Sequence, residues 1–195
     1  MCSLTRMAVG SGLLGVCEVR QRGAIAKPYR CCFNGCMKKR VYVETTVVSY
    51  LTARPSRDLI TAGHQESTRE LWPRLSSDYE TYVSALVYRG AGQGDPEQAR
   101  MRLDAIESYR MLDIDEGARS FAEEIIEARG VPREYPEDAL HIAIAAVNGI
   151  DVLVTWNFTH LNNPFTRMMI RQVVENAGFG CPEICSPEEL LEVDR

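Results

Sequence analysis

Three residues of this chain have the types and the positions to do metal-assisted phosphate chemistry: Glu44, Asp138 and Asn157. Glu44 closes the β-branched run Val41-Tyr42-Val43, Ser84 closes Thr81-Tyr82-Val83, and Asn157 follows Val152-Leu153-Val154-Thr155. Asp138 falls in the first turn of a helix opened by Pro136. In open α/β sheets ligands lie beyond the carboxyl ends of the strands, so these side chains would converge on one crevice. Oxygen donors of this kind suit Mg2+ or Mn2+, hard ions that keep several waters and take substrate phosphate oxygens. Such an ion polarises a phosphodiester and activates water. Each residue also has a plainer use. The helix macrodipole favours a carboxylate at position 138 by itself, asparagine is common in turns, and a glutamate can end an exposed strand. His141, one turn after Asp138, reads as a buried or supporting histidine rather than a ligand.

The elements that must position these residues alternate between strand-like and helix-like patterning, the signature of a mostly parallel sheet covered by helices. Strands are expected over 41–43, 81–84, 111–114, 152–155 and 183–185, and a turn or short helix over 45–51. An amphipathic segment covers 65–75, and a helix runs from Ala85 into the cluster Gly90, Gly92 and Gly94. Asp95-Pro96 supplies an N-cap with proline at the first helical position, opening a helix through Tyr109. A helix over 115–129 should stop at Gly130 as its C′ residue. In the next one, Leu140, Ile144 and Val147 recur at helical spacing before Asn148-Gly149. A last long helix runs from Asn162-Asn163-Pro164 through Asn176, and Ser186-Pro187-Glu188-Glu189 reads as a capping box.

A chain of 195 residues, 45% apolar and 25% charged, is an ordinary globular composition with one domain as the expectation. No apolar run approaches the roughly 18 residues that cross a bilayer. The net charge of −5 divides unevenly: residues 1–40 carry +7, from eight basic side chains against Glu18, and the rest carries −12. That acidic body argues against tight nonspecific duplex binding, which needs a basic surface. Residues 1–36 are expected to be a disordered leader or an over-extended start, with the domain occupying 37–195. Cys2, Cys17, Cys31, Cys32 and Cys36 fall in the leader, and Cys181 and Cys185 in the body. An odd count without disulfide spacing points to a reduced, cytoplasmic setting. Cys31, Cys32 and Cys36 lack the CxxC pairs of a zinc knuckle.

The runs Val41-Tyr42-Val43-Glu44-Thr45-Thr46, Tyr82-Val83-Ser84 with Gly94-Asp95-Pro96, Asp138-Ala139-Leu140-His141-Ile142-Ala143, Gly149-Ile150-Asp151 and Thr155-Trp156-Asn157-Phe158-Thr159-His160 resemble the PIN-domain family. The likeness extends from about Val41 to Leu190 and is strongest to bacterial VapC-like toxins of toxin-antitoxin pairs. The resemblance implies a three-layer α/β/α fold and an Mg2+- or Mn2+-dependent endoribonuclease acting on RNA. It implies an antitoxin partner, offered here by the apolar stretch from Leu59 to Trp72, and a homodimer. By position it makes Glu44, Asp138 and Asn157 the metal-binding and catalytic residues, with Thr155 as a supporting hydroxyl and Thr45, Ser84 and His160 beside the substrate. His160 and Arg171 are candidate phosphate contacts. One family acid is missing: its position is Gly90, beside Arg89, with Glu137 or Asp151 the nearest substitutes. A reduced site that still cuts RNA is therefore set against a degenerate PIN domain that only binds protein or RNA. A Rossmann-type nucleotide site is disfavoured because the glycine cluster follows a helix, not a strand.

Overall fold

In the computed structural model residues 38–192 are described. The leader over 1–36 and its cysteines lie outside them, as does Met37.

The described chain runs β1 (Arg40–Val43), α1 (Thr45–Thr52), α2 (Leu59–Ser77), β2 (Glu80–Ser84), α3 (Ala85–Ala91), α4 (Pro96–Ile106), β3 (Arg110–Leu112), α5 (Glu116–Glu127), α6 (Pro136–Val147), β4 (Val152–Val154), α7 (Pro164–Asn176), β5 (Glu183–Cys185) and α8 (Pro187–Glu192). The strands form one sheet in the order β3-β2-β1-β4-β5, and every neighbouring pair is parallel. Successive strand residues point to opposite faces. Val41, Tyr42 and Val43 are all 0% exposed, so helices cover both faces at the centre and the fold is an α/β/α sandwich.

The strand order places the site. Moving outward from β1, the chain builds one half of the sheet through β2 and β3 and the other through β4 and β5. The β1–β4 boundary is therefore the topological switch point, and the loops leaving those two strands open a crevice between them. Glu44 follows β1 directly, and Thr155, Trp156 and Asn157 follow β4.

Local chemistry sets most helix starts. Glu44, Asp58, Ser84, Asp95, Asp115 and Asn163 each cap a helix by accepting a backbone N–H. The capping box is present: Glu189 N donates to Ser186 Oγ at 3.1 Å, and Ser186 N to the Glu189 carboxylate at 2.8 Å. Segment 45–52 is a full helix, and α2 is longer than its amphipathic centre. Helix α4 ends at Ile106, not near Tyr109, because β3 must begin at Arg110 to pair with Tyr82.

The end of α5 differs instructively from expectation. The left-handed C′ position belongs to Arg129 (φ 61°), not Gly130. The motif is of Schellman type, with Arg129 N donating to Ile126 O at 3.0 Å and Gly130 N to Ile125 O at 2.8 Å. Gly130 is required for a different reason: a Cβ there would lie 3.1 Å from Ile125 Cγ2 and 3.2 Å from Ile125 O. Arg129→Gly should therefore stabilise the fold by about 1 kcal/mol, the cost of a left-handed non-glycine residue. A urea melt checks it; an unchanged midpoint contradicts it.

Within the apolar stretch 59–72, Leu59 and Ile60 are exposed, Leu71 is in the core, and Trp72 packs against Tyr109 with ring centroids 5.4 Å apart. Cys181 and Cys185 are free thiols, and burial pushes them up to about 11 and about 12. Among the described residues no helix is long and apolar enough to cross a membrane.

Candidate functional site

Glu44 is buried at 5% exposure, and three donors meet one of its oxygens. Oε2 accepts from Thr46 N at 3.1 Å, Thr46 Oγ1 at 2.5 Å and Thr155 Oγ1 at 2.8 Å. An ionised carboxylate is expensive to bury without such donors. The same two threonines tie β1 to β4: Thr46 Oγ1 accepts from Trp156 N at 2.9 Å, and Thr155 Oγ1, while donating to Glu44, accepts from Asn157 N at 2.9 Å. Thr155→Val leaves a buried carboxylate short of a donor and should cost about 1–3 kcal/mol, read as a lower denaturation midpoint.

Asp138 occupies the third position of α6, 16% exposed at its side chain, and is held from the β4 loop. Asn157 Nδ2 donates to Asp138 Oδ1 at 3.1 Å, and His160 Nδ1 lies 3.0 Å from Asp138 Oδ2. Asn157 Oδ1 accepts from His160 N at 3.0 Å, which fixes the amide so that its N–H faces the acid. Burial raises the Asp138 carboxyl above the ordinary aspartate range, and the negative charge of Glu44 pushes the same way; His141, Asn157 and His160 oppose it. The two carboxylates thus repel one another across the crevice, a penalty that a shared cation would relieve.

Beneath them lies a buried polar chain. Tyr42 Oη is 2.7 Å from Ser84 Oγ and 2.8 Å from His141 Nδ1, and His141 Nε2 faces Glu44 Oε1 at 3.8 Å. Burial pushes His141 below its usual value and so favours the neutral imidazole, although Glu44, Asp138 and Glu137 pull the other way. His141 is the supporting histidine that its position one turn after Asp138 suggests. Burial raises Tyr42 far above the ordinary tyrosine range.

Glu44, Thr155, Asn157, Asp138 and His160 form one bonded cluster at the switch point. Ser84 is 0% exposed and bonded to Tyr42, so its hydroxyl is structural and not turned to a substrate. Thr45 is half-buried and fills the space beside Gly90. Neither substitute acid is free. Asp151 is at the opposite end of β4, accepting from Arg40 N at 2.8 Å, and Glu137 pairs with Arg89 at 2.7 Å. Arg171 pairs with Glu183 and Glu175. Tyr42 was the member that patterning missed. Its signal was a tyrosine inside an otherwise aliphatic buried strand, where a hydroxyl must find a partner.

The donors fit a hard cation in kind, being carboxylate oxygens, and are few in number. Among the described residues no group of three or more His, Cys, Asp or Glu side chains gathers as a ligand set. Two carboxylates are within the range that Mg2+ uses when waters and substrate phosphate complete its shell.

Sheet order and layering make this chain an α/β/α domain, and its likeness to a solved structure gives it a PIN-like fold. Two solved structures are similar to this chain. A chain of VapBC2 from Rickettsia felis, bound to a DNA fragment from its promoter, shares 16% identity at a TM-score of 0.50, over 75% of this chain and 98% of that one. The Mycobacterium tuberculosis toxin VapC20, described as cleaving the sarcin-ricin loop, shares 17% identity at a TM-score of 0.45, over 72% and 96%. No family model and no curated protein matches the chain.

Proposed function

We propose that this protein is a VapC-type endoribonuclease, dependent on Mg2+ or Mn2+, that hydrolyses RNA at the Glu44–Asp138 crevice. The observation carrying the reading is the convergence of two partly or wholly buried, mutually repelling carboxylates at the switch point of a PIN-like sheet. Glu44 and Asp138 would hold the ion. When bound, it supplies Lewis-acid polarisation of the phosphodiester and a more acidic water.

The chain's own residues do the positioning. Thr46 and Thr155 hold Glu44 in place by covering Oε2, leaving Oε1 toward His141. Asn157 and His160 hold Asp138 in one rotamer. The Asn157 carbonyl oxygen accepts from His160 N and keeps a second lone pair that can orient a water. Arg89 and its partner Glu137 stand close enough to His141 to influence its protonation, which puts a cation at the mouth where the family has an acid.

The test is direct. Purified protein incubated with unpaired RNA should release fragments in Mg2+ or Mn2+ and none in chelator. Absence of cutting at saturating ion rejects the reading in favour of a binding module. That second reading is favoured by the Gly90 gap, which Thr45 closes. A toxin of this type would have an antitoxin as partner, as the name of the Rickettsia felis complex suggests. Exposed Leu59 and Ile60 are the apolar contact offered by α2. A homodimer and a cytoplasmic setting complete the proposal, and sedimentation of the purified chain tests the first.

A further inference from the structure

Two aromatic rings stand exposed beside the acid cluster. Phe158, the residue after Asn157, is 45% exposed, and its ring lies 5.9 Å from those of both Trp156 and His64. The platform under it is rigid: His64 stacks on Trp156 at 4.1 Å, and Trp156 is pinned through Nε1 to Thr68 Oγ1 at 2.8 Å. Tyr50 packs 5.8 Å from each. The second ring, Tyr135, is also 45% exposed and lies over His160 with centroids 3.6 Å apart. His160 in turn holds Asp138. Asp138 is thus joined through Asn157 to the Phe158 position and through His160 to the Tyr135 position.

Charge says what these rings are for. The sequence beyond residue 40 carries −12, and the nearby cation Arg89 is already paired with Glu137. An acidic surface gains little from displacing counterions off a phosphate backbone, so affinity for a polyanion must come from elsewhere. Stacking of bases on aromatic side chains supplies it without regard to sequence. Only unpaired bases can do this, because bases in an A-form duplex are already stacked and lie beyond reach.

We propose that Phe158 and Tyr135 are stacking positions for two unpaired bases on either side of the phosphate presented to Asp138. This rests on the nuclease reading and deepens it. Both rings lie outside the core, so their removal should leave the fold in place.

The experiment is a binding titration in EDTA at low ionic strength, where no cutting occurs, using fluorescein-labelled oligouridylate and fluorescence anisotropy. The wild-type chain should bind the free strand and bind it far more weakly after annealing to oligoadenylate. Phe158→Ala and Tyr135→Ala should each raise Kd by about tenfold, with melting temperatures unchanged, whereas Phe158→Tyr and Tyr135→Phe should bind like wild type. Three outcomes overturn the proposal: no binding of the free strand, equal binding of the duplex, or alanine variants with unchanged Kd, the last assigning the rings to a protein contact. Cleavage is scored separately in Mg2+. Ring-dependent binding without any cleavage would refute the nuclease reading and leave the stacking sites standing.

Discussion

Asp138→Asn should abolish Mg2+-dependent RNA cleavage, by about a thousandfold, and at the same time raise the melting temperature of the ion-free protein. The rate effect corresponds to about 4 kcal/mol of transition-state stabilisation, within what an ion-binding carboxylate supplies. The stability effect has the opposite sign for an electrostatic reason. Burial and Glu44 raise the folded-state Asp138 carboxyl above its unfolded value. The folded chain therefore binds that proton more tightly, so its contribution to stability is fullest below the unfolded value and is lost as pH rises through the folded one. At neutral pH the ionised group is a burden that asparagine removes, while still able to bond to Asn157 and His160. A divalent cation offsets the same burden, so Mg2+ should raise the melting temperature of the wild type and leave Asp138→Asn unmoved. An asparagine variant that melts lower, or cuts normally, would remove Asp138 from the site. Glu44→Ala should lose cleavage likewise, but should also lose stability, because Thr46 and Thr155 are left with buried donors.

The second large effect concerns the missing acid. Restoring it by Gly90→Glu alone should fail. An ideal Cβ at Gly90 would lie 2.8 Å from Thr45 Cγ2, closer than real contacts, and a tight 3.2 Å from Thr45 Oγ1. Thr45 opens α1 and is β-branched, so it has little rotamer freedom with which to retreat. Gly90→Ala should then destabilise by about 1–2 kcal/mol, the usual cost of overpacking, where an unobstructed helical glycine would gain from alanine. Adding Thr45→Ala should recover that loss, a coupling visible in a double-mutant cycle. In the Thr45→Ala background, Gly90→Glu adds a carboxylate at the crevice edge and should tighten Mn2+ binding by about tenfold or more, since affinity follows ligand charge. If Gly90→Ala is as stable as wild type, Thr45 does not fill the gap.

Much of the architecture was legible in the residues because it depends on neighbours. Helix starts at Asp95, Asn163 and Ser186 follow from side chains that reach three residues along, and the buried run Val41-Tyr42-Val43 marks a central parallel strand without reference to any partner. The misreadings were local competitions with close alternatives: Arg129 took the left-handed position assigned to Gly130, and α4 stopped early to let β3 pair with Tyr82. Residue types likewise singled out Glu44, Asp138 and Asn157. Their relation was another matter. Thr155 reaches Glu44 across 111 positions, Tyr42 reaches His141 across 99, and Thr45 meets Gly90 only where α1 and α3 pack. Strand order alone decides such meetings, and no periodicity encodes it. Tertiary structure thus sent Ser84 into the interior and Asp151 to the far edge, and set Tyr135 over His160, because side chains distant in the chain interact only after the sheet has chosen its neighbours.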